Sequence, residues 1–395
     1  MKILDLAEFF SERGGGVRAY LTQLLREGGK RGHDLVVVAP GPRAEETLVE
    51  GGRIVRLKGP AMPYDPSYHA LTDLRGARAR IRAERPDVLQ ASAPYVAAAI
   101  VAVERAPLRV LVIHSDFIDT YARPVLSRIG GDLLADLTLA LPWRAFSAFA
   151  ARFDLTLVSG GWLAKKLRRH GVPRVVCVPF GIDHDRFSPD RADPATRREL
   201  LGPMADRPGA RLLVVAGRLA VEKRVALALR ACARASRELP LAVAVVGDGP
   251  ERARLEALAR RLGVCATFTG FVKDRARYAR ILASCDALVH GCAIETFGFV
   301  VAEALASGVP VVVPNAGGAA EFVNPDCAET FPAQGGEVAA ALATLRLLRR
   351  PPAPLRAAAV AAAAKVSDAS AHFDTLFDIY ARALAQGRGA VVEDP

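Results

Sequence analysis

Short apolar runs alternate with helical patterns along the first part of the chain. Seven of these runs are apolar on both faces: Ile3–Leu6, Leu35–Ala39, Ile54–Leu57, Val88–Ala91, Val110–His114, Leu155–Ser159 and Val175–Pro179. Runs of this kind predict strands that are covered on both sides, which is typical of a parallel sheet between two layers of helices. We therefore expect a doubly wound α/β domain over residues 1–183.

A second series of the same kind follows a polar interval. Residues 184–209 contain four prolines and no sustained period, so they predict an interdomain linker. Six further runs predict a second parallel sheet in a domain over residues 210–369: Leu212–Ala216, Leu241–Val246, Thr267–Thr269, Ala287–His290, Val309–Val313 and Glu329–Phe331. The stretch 370–386 has apolar residues near helical spacing and predicts an amphipathic helix that packs on either domain. Ligands of open α/β sheets bind beyond the carboxyl ends of the strands, so two facing sheets predict a site in a cleft between the domains.

The charge balance changes this picture little. The chain has 395 residues, with 53 Lys and Arg against 42 Asp and Glu, and 45 of the bases are arginines spread along its length. Only 6% of the residues are aromatic and there is no basic arm, so nucleic-acid binding is not expected. The excess indicates an arginine-rich coding bias, with a surface that weakly attracts anions.

Neither the start of the chain nor its cysteines suggest a secreted or membrane-spanning protein. No signal-peptide pattern follows Met1, and the longest charge-poor run, Leu137–Trp143, is shorter than the ~20 residues of a spanning helix. The six cysteines include no Cys-x-x-Cys pair and indicate reduced core residues, not a zinc site. We expect a cytoplasmic protein that is soluble or peripheral to the inner face of the membrane.

The segment Glu295–Glu303 (ETFGFVVAE) follows a predicted strand and opens a predicted helix. Backbone N–H groups at such a helix start attract an anion or a sugar hydroxyl, and Gly298 permits close approach. Glu303 lies among apolar residues, where a carboxylate needs a partner and is able to take both hydroxyls of a ribose. The alternative is that Glu295 is an acid favoured by the helix dipole and Glu303 a solvated one.

Two more turns follow predicted strands. In Gly217–Lys223 (GRLAVEK), Arg218 and Lys223 would neutralise a departing diphosphate, although such a group is usually a surface ion pair. His114 ends another strand, where it would donate to a substrate, although a lone histidine is more often structural.

Three glycines at positions 14–16 precede a predicted helix. Such a loop cradles a phosphate or admits an acceptor. The string also satisfies Gly-x-Gly-x-x-Ala, so an NAD-dependent oxidoreductase is an alternative. It is disfavoured because seven residues separate Leu6 from Gly14, where a dinucleotide fingerprint needs a tight turn.

Taken in chain order, these motifs resemble the retaining GT-B glycosyltransferases of family 4, the group 1 glycosyl transferases. Further matching pieces are Arg31–His33, Arg85–Val88, Val178–Asp183, Val246–Pro250, Phe268–Val272 and Ala304–Val311. The resemblance covers nearly the whole chain and implies two facing Rossmann-like domains, with the last helix crossing back onto the first. One departure is Gln90-Ala-Ser92, which stands where the family often has a histidine.

The resemblance also implies roles for individual residues. The catalytic residues that it implies are His114, Arg218, Lys223 and Glu295. The donor-binding residues that it implies are Gly15, Gly16, Arg218, Lys223, Phe271, Val272, Glu295, Phe297, Gly298, Phe299 and Glu303. The acceptor residues that it implies are Gly16, Asp116 and Tyr121. Retention without an obvious nucleophile implies front-face substitution, with phosphate charge balanced by side chains and no metal or other cofactor.

The implied reaction moves a hexose from GDP-mannose or a UDP-hexose to an acceptor hydroxyl. His114–Tyr121 is similar to the corresponding stretch of transferases that glycosylate lipids, so the expected acceptor is a glycolipid or a lipid-linked saccharide. The apolar segment Leu133–Phe149, aided by basic runs at 75–85 and 165–169, would touch an anionic membrane; otherwise it is a core helix pair. A nonhydrolysing sugar-nucleotide epimerase shares the fold and is the other alternative, but its own acid and histidine motifs are not found.

Overall fold

The computed structural model describes residues 1–11, 16–63 and 65–387, without the side chains of Asp119, Tyr121, Pro124, Arg128 and Asp132. The chain divides into two units: Met1–Phe180 together with the chain from Ser370 onward, and Gly181–Ala369.

The first unit is built on a sheet whose central strands are buried on both faces, because they consist almost entirely of valine, leucine and isoleucine. Its strands in the described residues are β1 (Lys2–Leu6), β2 (Asp34–Gly41), β3 (Glu45–Val49), β4 (Gly52–Lys58), β5 (Ala61–Met62), β6 (Asp65–His69), β7 (Val88–Ala91), β8 (Leu108–Ile113), β9 (Leu155–Val158) and β10 (Val175–Cys177). The helices that follow them are α1 (Gly16–Lys30), α2 (Leu74–Glu84), α3 (Val96–Val103), α4 (Asp119–Ala150) and α5 (Gly161–Arg169).

Eight of these strands form one sheet in the order β10-β9-β8-β7-β1-β2-β4-β3. All neighbours in it are parallel except β3, which pairs antiparallel with β4 at the edge. The prediction of a parallel sheet is confirmed. The sequence did not predict the edge strand β3 or the strands β5 and β6, which form a separate two-stranded sheet. The helix α4 bends at Gly130 and Gly131, where the backbone leaves helical geometry.

The second unit contains a six-stranded parallel sheet in the order β13-β12-β11-β14-β15-β16. The strands are β11 (Arg211–Ala216), β12 (Leu241–Val246), β13 (Cys265–Gly270), β14 (Ala287–Val289), β15 (Val311–Pro314) and β16 (Ala328–Phe331). The helices are α6 (Pro194–Leu201), α7 (Val225–Ala235), α8 (Arg252–Leu262), α9 (Arg275–Ala283), α10 (Phe299–Ala306), α11 (Glu337–Leu348) and α12 (Pro352–Ala363).

The prediction that residues 184–209 form only a polar linker is wrong. They contain α6, and Phe187, Leu200 and Leu201 are buried in the core of the second unit. Asp193 caps α6 by accepting a hydrogen bond from the amide of Thr196 at 2.9 Å, and Pro194 occupies the first turn. Only two leucines of this short helix, Leu200 and Leu201, are buried, so the stretch shows no clear hydrophobic period.

The last helix, α13 (Ala369–Gln386), packs on the first unit. Phe373, Phe377 and Tyr380 are buried on its inner face. The Tyr380 hydroxyl donates to Gln90 Oε1 at 2.5 Å, and Arg31 Nε binds Asp374 Oδ1 at 2.6 Å. These contacts decide between the two packings that the amphipathic pattern left open.

Candidate functional site

Two loops meet at the centre of the second sheet. The strand β11 has β12 on one side and β14 on the other, so the chain order reverses there, and such a switch point opens a ligand crevice at the carboxyl ends of the strands. The turn Gly217–Lys223 leaves β11, and the loop from His290 to Gly298 leaves β14. The two motifs singled out in the sequence therefore lie together.

An ion pair joins these loops. Lys223 Nζ lies 2.7 Å from Glu295 Oε2, and both side chains are largely buried. Burial is the largest single influence on the pKa of the Glu295 carboxyl and would raise it, but Lys223 and His290 together hold that pKa below its usual range. Burial lowers the pKa of the Lys223 ammonium, but the Glu295 carboxylate opposes this effect, and the pKa of Lys223 ends above its usual value. Both groups are therefore charged at neutral pH, which leaves a fixed cation at the switch point.

Two further side chains surround Glu295. His290 Nε2 lies 3.6 Å from Glu295 Oε2, and Cys292 is 1% exposed. Burial lowers the pKa of His290 to about 4 and raises the pKa of the Cys292 thiol to about 11. Both are neutral near pH 7. Sequence reasoning missed these two residues, although the strand-end rule that selected His114 applies equally to His290.

The helix α10 begins directly after this loop. Gly298 precedes its first residue with φ at +97°, and a Cβ there would lie 3.3 Å from Ala319 Cα. Two contacts hold the loop in place. The amide of Gly318 donates a hydrogen bond to the carbonyl of Glu295, and the ring of Phe297 lies 4.9 Å from that of Phe299. A glycine is required at position 298 because a side chain would be strained there. The loop thus presents the start of α10 beside Lys223.

The second glutamate of the motif has the partner that its apolar surroundings require. Glu303 Oε1 accepts a hydrogen bond from Arg275 Nη2 at 2.5 Å, and Tyr278 also hydrogen-bonds its carboxyl group. Burial raises the pKa of Glu303, although Arg275 opposes the shift. The Arg275 guanidinium lies over the rings of Phe187 and Tyr278, at 5.1 and 5.0 Å from their centroids. Arg275 was missed because no sequence motif links α9 to α10.

Three more of the predicted donor residues, Arg218, Phe271 and Val272, lie on neighbouring turns of the same sheet, whereas Gly15 and Gly16 belong to the first unit. Arg218 is half-buried, and the amide of Leu219 next to it donates to the carbonyl of Asp248 at 2.9 Å. Phe271 is 52% exposed just beyond β13, whereas Val272 packs against the core. Their roles toward a diphosphate and a base stay predictions.

The first unit carries the other predicted catalytic residue. His114 follows β8, and its ring lies 5.0 Å from that of Tyr20 and stacks on Phe180 at 6.4 Å. Burial, and to a lesser degree His372, lowers the pKa of His114 to about 4. At neutral pH this imidazole is uncharged. It is therefore a neutral hydrogen-bonding group, and its catalytic role stays a prediction.

The predicted acceptor residues are only partly visible. The side chain of Tyr121 lies outside the described residues, as does the predicted donor residue Gly15, whereas Gly16 begins α1. Asp116 is buried and forms an ion pair with Lys166. The structure therefore gives Asp116 a partner within its own unit, and its contact with an acceptor stays a prediction.

A buried polar cluster lies near the carboxyl ends of β1 and β7 in the first sheet, and sequence reasoning did not identify it. Asp5 on β1 is 1% exposed and accepts hydrogen bonds from Gln90 and from Ser92 Oγ, the latter at 2.6 Å. Gln90 in turn accepts from Tyr380 on α13. The Gln90-Ala-Ser92 departure noted in the sequence is thus part of a structural network that holds the last helix.

Comparison with known proteins agrees with this architecture. The family model for group 1 glycosyl transferases matches residues 202–366, and that for glycosyltransferase family 4 matches residues 14–186. The sucrose-phosphate synthase of Thermosynechococcus elongatus is 18% identical, with a TM-score of 0.79 over 98% of this chain and 100% of that one. The fold is therefore GT-B, with two Rossmann-like domains.

Two curated relatives narrow the class. A GDP-mannose-dependent alpha-(1-6)-phosphatidylinositol dimannoside mannosyltransferase of Mycobacterium tuberculosis is 33% identical over 84% of this chain and 85% of its own length. A GDP-mannose-dependent alpha-mannosyltransferase of Corynebacterium glutamicum is 30% identical over 82% and 75%. The chain belongs to the group 1 glycosyl transferases of family 4, and it is a glycosyltransferase that uses a sugar nucleotide. The oxidoreductase and epimerase alternatives are thereby set aside.

Proposed function

We propose that this chain transfers mannose from GDP-mannose to a hydroxyl of a mannosylated phosphatidylinositol, with retention at the anomeric carbon. The donor is supported by the names of the two relatives, both of which are GDP-mannose-dependent. The acceptor class is supported by the first of them, which acts on a phosphatidylinositol dimannoside. Both relatives form alpha linkages from an alpha-linked donor, which fits retention.

The observation that carries this proposal is the Lys223–Glu295 ion pair at the switch point of the second sheet. In the proposed reaction the bond from the anomeric carbon to the diphosphate breaks and its electron pair stays on the phosphate oxygen. The acceptor oxygen then bonds to the same face of the sugar and passes its proton to that phosphate oxygen. Charge accumulates on the diphosphate, so Lys223 and Arg218 stabilise it, while Glu295 orients Lys223 and the sugar hydroxyls.

These two cations would meet the electrostatic need of the departing diphosphate, so we infer that turnover requires no metal ion. Transfer is expected to continue at an unchanged rate after treatment with excess EDTA. A loss of activity that Mg²⁺ or Mn²⁺ restores would contradict this part of the proposal.

The direct test is a donor and acceptor screen. Purified enzyme is incubated with GDP-mannose, GDP-glucose, UDP-glucose or UDP-galactose and with phosphatidylinositol mannosides or diacylglycerol, and nucleoside diphosphate release and lipid product are measured. We expect turnover with GDP-mannose and a phosphatidylinositol mannoside. Equal or faster turnover with a UDP-hexose would overturn the donor assignment.

A variant links the screen to the site. Lys223→Ala is expected to lower kcat by on the order of 10²-fold, because it removes a cation from the developing phosphate charge. Lys365→Ala is the matched control, since Lys365 is an exposed lysine of the same unit outside the site. Equal rates for the two variants would contradict the role of Lys223.

We also propose that the enzyme docks on an anionic membrane through α4. After the bend at Gly130 and Gly131, a row of three leucines that recur every four residues is 67–74% exposed: Leu133, Leu137 and Leu141. Val125 and Ile129, which precede the bend, are exposed as well. Among the described helices, only the segment Leu133–Ala150 is long and apolar enough to span a membrane by length and composition, and it is 28% buried. A row of exposed apolar side chains this long is unusual on a free surface and suits the boundary between headgroups and acyl chains.

Charge near α4 favours a lipid surface over a second copy of the chain. His170, directly after α5, stacks its ring on that of Trp143 of α4 at 4.1 Å. The helix α5 carries the exposed residues Lys165 and Arg169. Basic groups on this neighbouring helix would attract anionic headgroups and repel a second copy of the same basic surface. The arginines of α2 contribute less, because Arg78 and Arg82 both pair with Glu104.

Vesicle co-sedimentation tests this docking. Binding to vesicles with anionic lipid is expected, and Leu137→Ser with Leu141→Ser should weaken it, whereas Leu342→Ser, at an exposed leucine of the second unit, should not. Dimerisation without vesicle binding would show that the row contacts a second copy instead.

A further inference from the structure

Three side chains with metal-binding atoms converge on the loop after β14. His290, Cys292 and Glu295 each offer one ligand atom, and these three atoms lie within 4.8 Å of one another. Of the pairwise distances, His290 Nε2 to Glu295 Oε2 is 3.6 Å. All three belong to a six-residue stretch that the sequence analysis did not recognise, because His-x-Cys-x-x-Glu is not a common zinc spacing.

The burial of this cluster distinguishes it from a surface group of polar residues. His290 is 5% exposed and Cys292 is 1% exposed. In the described part of the chain, His290 Nε2 has no hydrogen-bond partner, although it is directed toward the Glu295 carboxylate. An unsatisfied buried ring nitrogen is costly, and a ligand that accepts its lone pair removes the cost.

We propose that His290, Cys292 and Glu295 bind a borderline or soft divalent cation, represented by Zn²⁺, and that this binding inhibits the enzyme. A nitrogen, a thiolate and a carboxylate form a donor set that favours Zn²⁺ over Mg²⁺ or Ca²⁺. Zinc bonds of about 2.0–2.3 Å place tetrahedral ligand atoms roughly 3.3–3.8 Å apart. Because the three atoms lie within 4.8 Å of one another, no pair needs to approach by more than roughly 1.5 Å. The remaining coordination position is filled by water.

Binding breaks one contact that the proposed reaction needs. Glu295 is at present paired with Lys223 at 2.7 Å, and a cation on the carboxylate displaces the ammonium. The Cys292 thiol gives its proton to solvent as the metal–sulfur bond forms, the imidazole supplies a lone pair, and no electron transfer is involved. The inhibitory consequence rests on the proposed function, because it assumes that the Lys223–Glu295 pair serves the donor diphosphate. The binding itself does not.

Cobalt titration of the purified full chain tests the site without any activity measurement. Co²⁺ occupies such sites and produces a thiolate-to-metal absorption band in the near ultraviolet, which Zn²⁺ then abolishes by competition. We expect the band in the native chain and its loss in Cys292→Ser and in His290→Gln. Cys265→Ser is the matched control, since Cys265 is a half-buried thiol elsewhere in the same unit, and it should keep the band.

The thermal unfolding of each variant is recorded beside its spectrum, so that loss of the fold is not mistaken for loss of the site. If Cys292→Ser does not fold, His290→Gln carries the test alone. The absence of a band in the native chain overturns the inference, and so does a band that survives in both folded variants.

The inhibition is measured separately, as the Zn²⁺ concentration that halves mannose transfer relative to each protein's own uninhibited rate. A rise of tenfold or more in Cys292→Ser is expected. Transfer without any zinc effect and without a cobalt band would remove the metal site and leave the proposed function intact. A cobalt band in a chain that transfers no sugar would support the metal site and contradict the proposed function.

Discussion

Asp5 makes the stability of the first unit depend on pH. Its carboxyl group is fully enclosed, and burial raises its pKa from 3.8 to about 7, even though Ser92 and Gln90 donate hydrogen bonds that work against the shift. Replacing Asp5 by asparagine keeps an oxygen for those donors and removes the ionisation. The Asp5→Asn variant therefore resembles the protonated native protein at every pH.

The size of the effect follows from linkage. Between the unfolded value near 3.8 and the folded value near 7, the native state holds one more proton than the unfolded chain. The contribution of Asp5 to the unfolding free energy is therefore complete below pH 3.8. It is lost as the pH rises from 3.8 through 7, at about 1.4 kcal/mol for each pH unit. Over the experimentally convenient range from pH 5 to pH 8, the variant should gain about 3 kcal/mol relative to the native protein.

Histidines with lowered pKa values, among them His33, His114 and His372, belong to the same unit, and a comparison of the two proteins removes their contribution. Burial lowers the pKa of both His114 and His372 to about 4, so each destabilises the fold as the pH falls from 6.5 toward 4. Because this loss is common to the native protein and to Asp5→Asn, it cancels in their difference. The difference between the two unfolding free energies then reports Asp5 alone.

The assay is guanidinium unfolding followed by tryptophan fluorescence at several pH values. Both tryptophans of the chain, Trp143 and Trp162, lie in the first unit, so the signal follows that unit. Asp378→Asn, at an exposed carboxylate of the same unit, is the control and should give a difference that stays flat over this range. A flat difference for Asp5→Asn as well would refute the reasoning, since it would show that the Asp5 carboxyl titrates alike in the folded and unfolded chains.

Three further predictions concern single contacts. Gly298→Ala should cost about 1–2 kcal/mol of unfolding free energy, because its φ of +97° is unfavourable for alanine, whereas Gly336→Ala, at φ −88° with open space around it, should be nearly neutral; thermal unfolding compares them. Arg275→Gln should raise the KM for the donor more than it lowers kcat, because the Glu303 carboxylate loses its positioning partner. Initial-rate measurements test this, and a lower KM would contradict it. Tyr380→Phe should cost about 1–3 kcal/mol in the fluorescence assay, since Gln90 loses a buried donor.

The parallel strands were predictable because each is a continuous run of β-branched and other apolar residues. Val88–Ala91 and Leu241–Val246 agree with the predicted bounds at both ends. The strand β3 has four exposed residues and pairs only at the sheet edge, so its sequence carries no burial pattern. The helix α6 was missed for a related reason, since only two of its eight residues are buried. A hydrophobic pattern predicts those elements that bury most of their surface.

The donor half of the site was accessible from the sequence because its parts are short segments at strand ends. Glu295 and Glu303 belong to one nine-residue segment, ETFGFVVAE. The parallel sheet brings the turn that holds Lys223 to the same edge as this segment. The partners that complete it follow no local rule. Arg275 reaches Glu303 from the preceding helix, α9. Gln90 binds both Asp5 and Tyr380, the latter 290 positions away, and no spacing in the sequence reveals this.

The apolar segment of α4 had two interpretations in the sequence, a core helix pair and a membrane contact. The structure shows that only part of the segment belongs to the core, and the membrane contact stays a proposal. At about 100° per residue, Leu139, Trp143 and Phe146 share one stripe of the helix, and Leu133, Leu137 and Leu141 lie on a stripe roughly 160° away. The first stripe is buried in the core, whereas the second is exposed.

The effects of α4 on folding and on the proposed membrane docking are therefore expected to be separable. Leu139→Ala should lower the unfolding free energy by about 2–5 kcal/mol and leave vesicle binding by the folded fraction unchanged, because it opens a core cavity. Leu137→Ala, only two residues away, should leave the unfolding free energy within about 0.5 kcal/mol of the native value and weaken vesicle binding. Guanidinium unfolding and co-sedimentation, measured on both variants, give four results. If Leu137→Ala proves as destabilising as Leu139→Ala, the exposed stripe is part of the fold and the docking surface lies elsewhere.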